Sequence, residues 1–150
     1  AVLTIGGSLP GYYSGNPYKK EIMKYYNTFY VESRDSLQKL LNNIDREAQK
    51  GDPALLQFLR YEFKPELERQ IGKADQIEEI PHPLEEHHEE FVLCLKQYKP
   101  LADDLIRGIE RRNLVSVKAT GEGLRRNIKK IEENEENLRQ VCKANGLVFK

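Results

Sequence analysis

Apolar residues recur at helical spacing along four stretches of this chain, and only two or three residues separate each stretch from the next. The first stripe is Ile22, Tyr25, Tyr26, Phe29, Tyr30, Leu37, Leu40, Leu41, Ile44 and Ala48. The second is Leu55, Leu56, Leu59, Phe63, Leu67, Ile71, Ala74 and Ile77, and the third Leu84, His88, Phe91, Leu95, Tyr98, Ala102, Leu105 and Ile109. Spacing of i, i+3, i+4, i+7 keeps such residues on one face of a helix. The fourth stripe steps three, four, three, four through Leu114, Val117, Gly121, Leu124, Ile128, Ile131, Glu135, Leu138 and Cys142. A seven-residue repeat of that length predicts a coiled-coil-like seam.

The breaks supply the stops. Gly51-Asp52-Pro53, Pro81-His82-Pro83 and Arg112-Asn113 divide the stretches, and Asn145-Gly146 closes the last. Glycine fits the left-handed cap of a helix end, and proline fits the first turn of the next. Asn16-Pro17 has the same cap-plus-proline form and predicts where the first helix starts. Helices are therefore expected over about residues 17–50, 53–80, 83–112 and 114–144. Connections this short force neighbours antiparallel, so the fold class is all-α, an up-down-up-down four-helix bundle over residues 16–150. Pro65 and Pro100 fall inside stripes and predict kinks, the first near Glu62–Lys64. Residues 1–15 have no helical period and are rich in Gly, Ser and Pro, which predicts a flexible leader or tether. A start at Ala1 rather than Met raises the expectation of a removed signal, anchor or tag, and with it a location outside the cytoplasm.

Composition narrows the function classes. Lys+Arg and Asp+Glu are equal at 24 each in 150 residues, so no global field steers a polyanion. The one basic cluster, Arg125, Arg126, Lys129 and Lys130, is followed at once by Glu132, Glu133, Glu135 and Glu136, which reads as a solvated face with i, i+4 pairs. No nucleic-acid partner is expected, and no apolar run reaches the roughly 18 residues of a membrane span. Phosphate loops, nucleophile elbows and dinucleotide fingerprints are absent from the sequence, and neither an enzyme nor a cofactor is expected.

Three groups remain as candidates. Six of the eight tyrosines lie between Tyr12 and Tyr30; Tyr18 opens the first helix, and Tyr25, Tyr26, Phe29 and Tyr30 cover a wider arc than a core stripe needs, which makes Tyr18, Tyr25, Tyr26 and Tyr30 candidates. They read either as a broad core face or as a recognition patch for a protein or glycan. Glu85 and His88 share a helix face, and counting outward from Asn113 places Glu135 within a turn of His88, a candidate metal or small-ligand site. A di-iron site fails because the Glu-x-x-His spacing occurs once, whereas such sites need it on two helices. The same count places Cys142 some ten residues, roughly 15 Å, beyond the position opposite Cys94, so two free thiols are expected rather than a disulfide. The leading expectation is a non-enzymatic interaction or structural module, tethered or exported. A metal- or small-ligand-binding bundle built on Glu85, His88 and Glu135 is the alternative.

Overall fold

The computed structural model describes residues 2–5 and 17–149. Its helices stand as four antiparallel rods, with one short pair of strands at an end of the bundle. Strand β1 is Leu3–Ile5 and strand β2 is Leu147–Phe149. The first rod joins α1 (Lys19–Tyr25) to α2 (Val31–Lys50) through a π-helical turn at Tyr26–Tyr30. The second joins α3 (Asp52–Phe58) to α4 (Lys64–Gln76) through another π turn at Leu59–Phe63. A 3₁₀ turn at His82–Leu84 leads into α5 (Glu85–Glu110), and α6 (Leu114–Ala144) completes the bundle.

The breaks act as their residue types require. Gly51 takes φ +117, open to glycine alone, and Pro53 sits in the first turn of α3. Asn113 caps α6 by accepting from the Ser116 amide at 3.1 Å. The disturbance expected ahead of Pro65 takes the form of the π turn at Leu59–Phe63, while α5 runs helical through Pro100. The second rod ends at Gln76, a turn short of the expected Ile80, with Ile77 already extended. The expected cap Asn16 lies outside the described residues, as do Tyr12 and Tyr13.

Ion pairs record the antiparallel register between the second rod and α5. Arg60–Glu110 (2.6 Å), Lys64–Asp103 (2.5 Å), Lys99–Glu68 (3.1 Å) and Lys96–Asp75 (3.4 Å) descend one helix as they climb the other. All are exposed enough that each adds little stability. The core is apolar: Leu37, Leu59, Phe63, Leu67, Leu84, Phe91, Leu95 and Leu138 are fully enclosed. The third stripe is buried as read.

Two expectations need correction. On α6 the buried positions are Thr120, Asn127, Ile131, Asn134, Leu138 and Cys142, while Leu114 is 66% exposed. Ile131, Leu138 and Cys142 of the expected stripe are buried, but Thr120, Asn127 and Asn134 take the places expected of Gly121, Ile128 and Glu135. Gly121, although on the expected stripe, makes no close helix contact. A Cβ there would meet nothing within 4 Å, whereas one on Gly108 would lie 3.0 Å from Val117 Cγ2 and one on Gly123 2.8 Å from Leu101 Cδ2.

The expected leader is also structured over Leu3–Ile5. β1 pairs antiparallel with β2, Leu3 opposite Phe149 and Ile5 opposite Leu147, and Leu3 is fully buried. The backbone groups of Leu3 face away from β2 and are taken up by Asn27, whose Oδ1 accepts from the Leu3 amide and whose Nδ2 donates to its carbonyl, both at 3.0 Å. A side-chain amide in the π turn thus serves as the second edge of a three-residue strand, supplying partners to backbone groups that burial would otherwise strand.

Candidate functional site

The tyrosine patch is core. Tyr25, Tyr26 and Tyr30 are 1–2% exposed, and Tyr18 is half-buried against them. The arc is wide because it is covered from two directions. Toward α5, Tyr30 packs on Phe91 at 5.2 Å and Tyr25 meets His88 edge-on at 5.7 Å. Toward the chain end, Tyr26 stacks on Tyr30 and meets Phe149 edge-on at 5.2 Å, with the Arg139 guanidinium 4.9 Å from the Phe149 ring centroid. That coverage leaves Tyr25, Tyr26 and Tyr30 no exposed surface from which to form a patch.

Glu85, His88 and Glu135 are not brought together. Glu85 turns to His82 Nδ1 at 3.4 Å, and Glu135 pairs with Arg34 of the first rod at 3.8 Å. Among the described residues no three His, Cys, Asp or Glu side chains gather as metal ligands. The counted register fails by about five residues. Asn127 donates to the Cys94 carbonyl at 2.8 Å and Asn134 to that of His87 at 2.9 Å, so Cys94 faces position 127 instead of 132. Cys142 then lies a further 15 residues along α6, about 22 Å at 1.5 Å per residue. Both cysteines are free and buried. Burial pushes the Cys94 thiol up to about 11 and the Cys142 thiol up to about 12, so neither supplies a thiolate at neutral pH.

His88 instead ties three rods together. α4 stops at Gln76, which leaves the Ala74 carbonyl without its helical partner. His88 Nε2 donates to that carbonyl at 3.0 Å, which fixes the tautomer, and Nδ1 accepts from the Tyr25 hydroxyl at 2.7 Å. Desolvation holds the imidazole below its ordinary pKa. With both nitrogens engaged, His88 is a structural clasp.

The premature end of α4 opens a surface feature the stripes did not reveal. Ile77 and Ile80 leave the helix and, with Val92 and Leu93 of α5, line an apolar groove of about 420 Å³ edged by Asp75 and Glu89. Leu93 is 63% exposed in it. The sequence signal was available: Leu93 sits two residues from both Phe91 and Leu95 and so falls off the buried stripe. Glu78 and Glu79, on the segment that carries the two isoleucines, are also exposed but face a neighbouring cleft, where Glu79 pairs with Lys24 at 3.3 Å. Among the described residues no helix is long and apolar enough to cross a membrane. The chain matches no family model, no curated protein and no solved structure.

Proposed function

We propose that the chain is a non-enzymatic protein-interaction module whose recognition surface is the groove around Leu93. The observation that carries this reading is a large apolar side chain left 63% exposed inside an apolar groove with an acidic edge. Exposed apolar surface framed by charge is the usual form of a recognition site. Of the two edge carboxylates Asp75 is already paired with Lys96 at 3.4 Å, so it is Glu89 that favours a partner segment with one or two apolar anchors flanked by Lys or Arg. The groups best suited to chemistry support a binding role: both His88 nitrogens are engaged, and both thiols are held protonated.

Peptide display against the folded chain tests the proposal. Selected sequences should carry apolar residues beside basic ones, lose affinity with rising salt, and fail to bind Leu93→Asp. Because Leu93 is exposed, that variant should melt within a few degrees of the parent. Selection of acidic peptides, or undiminished binding to Leu93→Asp, would sink the idea.

A further inference from the structure

Beyond the Gly51 turn the first and second rods diverge. α2 packs against α3, but after the π turn and Pro65 the chain carries α4 onto α5 instead. The opening holds a cleft of about 310 Å³ between the rods, at the small end of the range of ligand pockets. Its wall combines the hydroxyls of Ser33 and Ser36 and the carboxamides of Gln70 and Gln76 with the apolar surfaces of Phe29 and Ile77.

Two of these groups are buried with nothing to bond to. Ser33 is 9% exposed and Gln70 2%, yet Ser33 Oγ and Gln70 Oε1 have no hydrogen-bond partner among the described residues. The orientation of the Gln70 amide follows from chemistry. Its Nε2 lies 3.4 Å from Glu66 Oε1, and a carboxylate can only accept, so the oxygen is the atom left over. That contact is long, and the terminal torsion of glutamine is broad, so the amide can swing its oxygen toward a guest in the cleft. Unpaired buried polar atoms are rare in folded proteins, and two lining one cleft mark a place where a ligand completes the bonding.

The charges at the mouth are already matched. Lys73 pairs with Glu32 at 3.7 Å, and Arg69 grips Glu66 through two bonds of 2.6 and 2.9 Å. An ionic ligand would find no unbalanced partner. We propose that this cleft binds a small uncharged polyhydroxylated molecule, a sugar or polyol. One ligand hydroxyl donates to Gln70 Oε1 while a neighbouring one exchanges donor and acceptor roles with Ser33 and Ser36. The carbon-bound hydrogens of the ligand lie on Phe29 and Ile77. The site is separate from the Leu93 groove: Ile77 borders both, but neither Ser33 nor Gln70 lines the groove.

The test is a ¹H–¹⁵N NMR titration of the folded chain with D-glucose and glycerol, and separately with N-methylacetamide as an amide control. Saturable shifts at Ser33, Ser36 and Gln70 are expected with one of the two polyols. Gln70→Met, similar in length but without the amide, should bind about tenfold more weakly and melt no lower than the parent, since it removes an unpaired acceptor. Ser33→Ala should weaken binding in the same direction and serves where Gln70→Met folds poorly. The proposal is overturned by non-saturating shifts up to roughly 50 mM, far above the ~1 mM of a weak site. Tighter binding of N-methylacetamide, or unchanged affinity in both variants, overturns it as well.

Discussion

At the scale of single residues, His88 shows how one side chain can be misread from sequence and still be decisive. Its spacing from Glu85 suggested a ligand, but the imidazole is spent on capping Ala74 and receiving the Tyr25 hydroxyl. Those partners lie 14 and 63 residues away in the chain, beyond the reach of any local pattern. The pH consequence has a definite sign. In the fold the pKa of His88 is lowered, so the folded state resists protonation, whereas the unfolded chain takes up a proton near pH 6.5. The neutral imidazole's stabilisation is therefore complete above about pH 6.5 and is lost as pH falls toward the lower folded pKa. Thermal melting followed by circular dichroism should be flat between about pH 8 and 7 and decline as pH falls below about 6.5. His88→Gln should be less stable at pH 8, by about 1–3 kcal/mol for the interrupted bonds, and should flatten that decline. An equal decline in both proteins would assign it to other groups. The tyrosines carry the same lesson. Their excess over a single stripe was legible, but its cause, a second covering layer from Phe149, was not.

At the scale of elements, existence was legible and register was not. Helix periodicity is local, so four stripes and their glycine and proline stops located the rods, apart from one turn lost at Gln76. Register depends on how two elements meet. On α6, Asn127 and Asn134 are seven residues apart and bond to the carbonyls of Cys94 and His87, themselves seven apart on α5. Two such bonds in step hold one alignment of the pair, a role buried polar groups fill in other helical seams. The expected stripe included Gly121 and neither asparagine. The close contacts lie at other glycines, and the difference is measurable. Gly121→Ala meets open space and should gain about 0.5–1 kcal/mol from helix propensity. Gly108→Ala would press a Cβ to 3.0 Å from the stiff Val117 side chain and 3.4 Å from its backbone nitrogen, so it should lower stability. Urea unfolding of the two variants in parallel decides the matter, and a stabilised Gly108→Ala would contradict the close packing of α5 on α6.

At the scale of the whole molecule, the two described ends of the chain are fastened to each other and to the first rod, which no run of three residues could announce. β1 and β2 are separated by more than 140 residues, and pairs so short are unstable alone. They persist here because Leu3 and Leu147 are buried in the core and because Asn27 completes the Leu3 backbone. The π turn matters to this arrangement, since Asn27 lies within it, between Tyr26 below Phe149 and the phenyl of Phe29 facing His88. One substitution separates the clasp from the bundle. Asn27→Asp keeps the shape and the acceptor but replaces the donor to the Leu3 carbonyl with a second oxygen, so two acceptors oppose each other at what is now a 3.0 Å bond. Loss of that bond should cost about 1–3 kcal/mol and act on the strands first. Amide exchange at Leu3 and Thr4 should accelerate about tenfold or more, while amides in the middle of α5 exchange at nearly the parent rate, because opening the clasp leaves the four rods packed. Uniform acceleration throughout α5 and α6 would show instead that the strand pair is an integral part of the cooperative core.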